Sequence, residues 1–158
     1  MKYGIITLFA LVLSAAGQAQ TTDSTTRVAH ALAFDPSRDA AQDIRNAAVE
    51  AAGSGRRILL DVGGNWCKWC KMLDKFFDTD TATAQYLHAH FVVVKVNFSK
   101  ENENKDLISA YPKIPGYPHF FILDADGSLL HSQDTGVLEK GQGYDAGKIM
   151  AFLTKWAN

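Results

Sequence analysis

Two short apolar runs, RILLDVG at residues 57–63 and FVVVKVNF at 91–98, constrain this chain most. The second is rich in β-branched residues, which favour strands. The first ends at Gly63 and Gly64, which stop it. Between them, CKWCKMLDKFF and DTATAQYLHAHF read as helices. Upstream, FDPSRDAAQDIRNAAVEAAGSGRR reads as another, with Asp35 as its cap, Pro36 in its first turn and Gly53 as its stop. Its Ile44, Ala47, Ala48 and Ala51 share one face. Downstream come a helix in ENENKDLISAY and two strands in PHFFILDADGSLLHSQ around an Asp126–Gly127 turn. YDAGKIMAFLTKWAN closes the chain as an amphipathic helix carrying Ile149, Phe152, Leu153 and Trp156. Helices separate the early strands, and the last two strands form a hairpin. That order predicts an α/β fold, a mixed sheet with helices on both faces. NFS at 97–99 matches a glycosylation acceptor and is read as a strand end.

The first residues do not fit this pattern. Lys2 and the apolar stretch Ile5 to Leu13, followed by AAGQAQ, have the layout of a signal peptide cut after Ala19. The apolar stretch is too short to span a bilayer. Residues 20–34 read as a flexible leader and 35–158 as one domain. With 16 basic against 17 acidic residues and no basic stripe, no nucleic-acid partner is expected. Export implies an oxidising compartment, periplasmic or extracellular.

Against that background stand the chain's two cysteines, Cys67 and Cys70, in DVGGNWCKWCK. A structural zinc site needs four ligands, and there is no second cysteine pair; His88 and His90 flank Ala89 at a helix end and face different directions. Haem attachment needs a histidine where Lys71 stands. A purely structural disulfide would close a very small loop and stabilise little. A redox pair fits the context. Cys67 falls where a strand turns into a helix, so free amides and the helix dipole favour its thiolate, with Lys68 beside it. Its pKa is expected below the free value of about 8.5. Cys67 is therefore expected to be the exposed attacking thiol, and Cys70, one turn on, the resolving one.

DVGGNWCKWCK, with IPGYPHFFILDADG some fifty residues later, resembles the thioredoxin superfamily. It is most similar to exported bacterial thioredoxin-like proteins with a long N-terminal helix, over about residues 35–157. The resemblance implies a three-layer α/β/α sandwich and a cis proline at Pro118, opposite the cysteines. It implies that the Tyr117 backbone pairs with an extended client. It also implies a buried acid at Asp61 that exchanges a proton with Cys70, and a lysine beside it at Lys95. Trp66, Lys68 and Trp69 are expected to contact the client together with Tyr117 and Pro118. The chain departs from cytoplasmic thioredoxins in carrying Lys68-Trp69 instead of Gly-Pro, Gly63 instead of tryptophan, and His119 where threonine is usual.

The function implied is a thiol–disulfide oxidoreductase of the cell envelope, acting on protein clients as a reductant. It would be a monomer fed by a membrane thiol-electron transporter. Its centre would be the Cys67–Cys70 disulfide, with no other cofactor and no metal. The alternatives are a binding module of the same fold, holding a client or a metal, and a disulfide oxidant or isomerase.

Overall fold

The computed structural model describes residues 33–158. The expected signal peptide and all but the end of the leader lie outside the described residues. The elements are α1 (Ala40–Ser54), β1 (Arg57–Gly63), α2 (Lys68–Thr79), α3 (Thr81–His90), β2 (Phe91–Asn97), α4 (Lys105–Ser109), β3 (His119–Leu123), β4 (Leu129–Asp134) and α5 (Ala146–Trp156). Between β4 and α5 lie a 3₁₀ turn (Thr135–Leu138) and a small hairpin, β5 (Glu139–Lys140) with β6 (Gly143–Tyr144).

The main sheet has the order β2-β1-β3-β4. β1 runs parallel to β2 and antiparallel to β3, and β3 pairs antiparallel with β4. The period-2 alternation of a strand sends successive side chains to opposite faces. Ile58, Leu60, Val62, Val92, Val94 and Val96 pack with Ala40, Ala47 and Ala51 of α1, and with Leu107 and Ile108 of α4. Leu59, Phe91, Val93, Phe120 and Ile122 face the other way, against Leu73 of α2, Leu87 of α3 and Ile149, Phe152 and Leu153 of α5. This is the three-layer arrangement expected. Removing a fully buried side chain such as Leu73 would be destabilising by about 2–5 kcal/mol.

The helix limits differ from expectation in three places. α1 is capped by Asp39, whose carboxylate accepts from Gln42 N at 2.9 Å. Asp35 instead accepts from Ser37 N at 2.8 Å and shapes a turn that contains Pro36. The helix runs past Gly53 and ends at Gly55, which takes the left-handed conformation (φ 70°) that glycine adopts without strain. The ENEN stretch is a loop, because its asparagines bond locally rather than helically. Asn104 Nδ2 donates to Asn97 O at 2.7 Å, and Asn97 Nδ2 to Asn102 O at 2.9 Å.

Candidate active site

β1 stops at Gly63, a short loop follows, and Cys67 is the N-cap of α2. Its Sγ accepts from Cys70 N at 3.1 Å, so the sulfur takes the place of the capping oxygen at a helix start. Cys67 and Cys70 are joined in a disulfide, with Cα atoms 5.2 Å apart. The helix terminus is as expected; the exposure is not. In this disulfide form Cys67 is only 4 % exposed and Cys70 is fully buried. Phe34 shares their cluster, and Trp69 and Tyr117 pack against it. The Cys67 sulfur therefore sits behind an aromatic rim.

The parallel register sets Asp61 opposite Lys95. Both lie within the sheet, Asp61 at 3 % exposure, and Lys95 Nζ donates to Asp61 Oδ2 at 2.6 Å. Lys95 also donates to Asp74 Oδ1 of α2. Burial pushes the Asp61 carboxyl above its ordinary range; Lys95 pulls it down, and Asp74 adds to the rise. Burial alone would lower the Lys95 ammonium, but the two carboxylates hold it above its usual value. Asp61 Oδ1 has no protein partner among the described residues. A cleft of about 90 Å³ reaches this trio, with Asp78 and His88 also in its wall; that is room for several waters.

Trp66, by contrast, is 58 % exposed. Its indole donates to Phe98 O at 2.6 Å, and its ring meets Tyr117 edge-on at 5.7 Å. Tyr117 in turn stacks on Phe98 at 5.0 Å. Gly64 permits the indole bond: a Cβ there would lie 2.6 Å from Trp66 Nε1 and 2.9 Å from Phe98 O. The Tyr117–Pro118 peptide is cis, and Pro118 O accepts from Thr135 Oγ1 at 2.5 Å. Lys68 is exposed on the first turn of α2. Trp69 is half-buried, its ring edge-on to Tyr144 at 5.8 Å. His119 is buried, with Nε2 2.9 Å from Ser132 Oγ, and burial lowers its pKa.

Two site residues escape a reading of the sequence. Asp74 follows Cys67 and Cys70 at helical spacing, so its face was there to be read. Phe34 falls in the stretch that reads as a flexible leader, yet it is 4 % exposed and packed against the disulfide. Only tertiary packing brings it there, and no local signal announces it.

The thioredoxin-like family matches residues 39–125. The chain is similar to the thiol:disulfide interchange protein DsbD of Actinobacillus pleuropneumoniae, at 33% identity over 92 residues, covering 58% of this chain and 16% of that protein. It is similar to the disulfide bond reductase DsbH of Chlamydia pneumoniae, at 30% identity over 81 residues, covering 46% of this chain and 48% of that one. The chain thus spans less than half the length of these curated relatives. Among solved structures, the disulphide isomerase from Xylella fastidiosa Temecula1 superposes with a TM-score of 0.67 at 28% identity, covering 77% of this chain and 94% of that one.

Proposed function

The chain belongs to the thioredoxin-like family, and we propose that it is a thiol–disulfide oxidoreductase of the cell envelope that reduces disulfides in protein clients. The observation that carries this is the Cys67–Cys70 pair at the N-terminus of α2. The likeness to a disulfide bond reductase and to an interchange protein supports it. The Cys67 thiolate attacks one sulfur of the client disulfide, and the other client sulfur leaves as a thiolate. Cys70 then attacks Cys67 Sγ. The mixed disulfide breaks, the client keeps its second thiol, and the Cys67–Cys70 disulfide forms. Two electrons pass to the client.

Asp61 accepts the Cys70 proton, and the cleft beside it leads that proton to solvent. Lys95 and Asp74 set how readily Asp61 ionises. Trp66, Lys68, Trp69, Tyr117 and Pro118 form the surface on which an extended client lies, paired through the Tyr117 backbone. The protein works in the periplasm as a monomer, after cleavage near Ala19, and a membrane thiol-electron transporter returns its electrons. The likeness to a disulphide isomerase favours a second reading, in which the released client disulfide is re-formed elsewhere.

Trapping tests the assignment. Cys70→Ser should accumulate mixed disulfides with clients, since no resolving thiol remains, and Cys67→Ser should accumulate none. Equal trapping by both variants would overturn these roles. The reduction potential of the pair decides direction: reductants of this chemistry lie near roughly −270 mV and oxidants near roughly −120 mV.

A further inference from the structure

We infer that Phe34 is a positioning residue for the second sulfur: its ring walls off Cys70 so that the only sulfur Cys70 meets is that of Cys67. This rests on the exchange cycle proposed above. Four observations converge on the ring. It lies in one buried cluster with Cys67 and Cys70. It occupies space that Gly63 leaves open, since a Cβ on Gly63 would stand 3.0 Å from Phe34 Cζ and 2.5 Å from Cys70 Sγ. It lies 4.4 Å from Lys95 Nζ, centroid to nitrogen, in a cation–π contact. Its backbone is clamped to the catalytic loop, because Asn65 Nδ2 donates to Phe34 O at 2.9 Å. A little further on, Asn102 Nδ2 donates to Pro36 O at 3.0 Å. The segment before α1 is thus tied down at Phe34 itself and again two residues after it.

A resolving thiol has one productive reaction, attack on Cys67 Sγ, which expels the client thiolate and closes the internal disulfide. An outside disulfide that reached Cys70 would place a second mixed disulfide there and remove the electrons needed for release. Phe34 blocks that approach, and it keeps bulk water from the face of Lys95 it covers. Cyclic access then belongs to Cys67 alone, through the rim of Trp66, Trp69 and Tyr117.

The test is the alkylation of Cys70 by iodoacetamide in the reduced Cys67→Ser protein, which needs no client. Adding Phe34→Ala should raise the Cys70 rate by roughly ten-fold, and Phe34→Leu, which refills most of the volume, should bring it back towards the parent value. In the same Cys67→Ser background, Phe34→Ala should trap client adducts on Cys70, where the parent traps none. A Phe34→Ala protein that melts earlier but alkylates at the parent rate, measured well below its melting point, would overturn the assignment and leave Phe34 a packing residue. If Phe34→Ala does not fold, Phe34→Val, which leaves much of the ring volume open, decides: a rise of about three-fold is expected, and an unchanged rate overturns the inference. Should the parent reduce no client disulfide, the exchange reading fails, while the alkylation rates still decide whether Phe34 shields Cys70.

Discussion

Lys95 and Asp61 face each other across the parallel pairing of β1 and β2, Nζ to Oδ2 at 2.6 Å, and the same ammonium is bonded by Asp74 from α2. One cation serves two carboxylates. Asp74 is 38% exposed at its side chain and shares its charge with solvent, whereas Asp61 is buried. Asp61 is therefore the carboxyl whose ionisation the protein resists, and the one to which the proposed cycle assigns the Cys70 proton.

Asp61→Asn should slow resolution of the mixed disulfide by roughly ten- to a thousand-fold near pH 7, while attack by Cys67 changes far less. Rapid-quench kinetics of a preformed adduct separates the two steps. Stability should respond with a definite sign. The folded pKa of Asp61 is raised, so the folded state binds this proton more tightly than the unfolded chain does. Stability from Asp61 is full below the unfolded value of about 4 and is lost as pH rises through the folded pKa. Relative to wild type, Asp61→Asn should gain stability across that window, and urea unfolding over a pH series checks it. Lys95 keeps Asp74 in the variant, so its charge is not left unpaired.

Asp74→Asn removes a negative charge that raises the Asp61 pKa. The midpoint of the pH profile for resolution should move to lower pH, with its plateau rate little changed. Because Asp74 is partly exposed, added salt should shrink the shift. An unmoved midpoint at low salt would mean that solvent already screens Asp74 from the buried acid.

Gly63→Ala introduces a Cβ 2.5 Å from Cys70 Sγ. Overpacking of this kind is destabilising by about 1–3 kcal/mol. The disulfide fixes Cys70 Sγ, whereas the free thiol can rotate away, so the oxidised form should lose more. The reduction potential should then become less negative, by about 30 mV for each 1.4 kcal/mol of difference. Redox equilibration against glutathione, alongside unfolding of both forms, tests this.

Trp66→Ala deletes an exposed ring and its bond to Phe98 O, so stability should fall by only about 1 kcal/mol. Reaction with a peptide disulfide should weaken by roughly ten-fold through KM, as loss of an aromatic anchor does. Reaction with a small-molecule disulfide should keep its rate. Equal loss with both substrates would mean that Trp66 supports Cys67 rather than the client.

β1, β2 and β3 were legible because each carries a mainly apolar or β-branched run, broken only by Asp61 in β1 and Lys95 in β2, and burial on both faces of the sheet demands such runs; β4 was legible through the Asp126–Gly127 turn before it. The cysteine pair was legible because strand, glycine stop and helix adjoin in sequence. Asp39 and Asp35 compete for the same cap, and which one wins depends on the turn that Ser37 closes. The β5–β6 hairpin has two residues per strand and no apolar alternation to reveal it. The covering of Cys67 and the place of Phe34 depend on contacts between segments far apart in sequence, and these leave no periodic trace.

Phe34 and Gly63 are, finally, neighbours in space and not in sequence. The two positions are 29 residues apart in numbering, yet they divide one volume beside Cys70 between them. A substitution that adds bulk at 63 presses first on Cys70 Sγ and only second on the phenyl ring, so loss of the ring relieves only part of the clash. Among descendants of this chain, bulk at 63 should therefore be rarer than a change at 34, because the sulfur holds its place whatever stands in the ring's position.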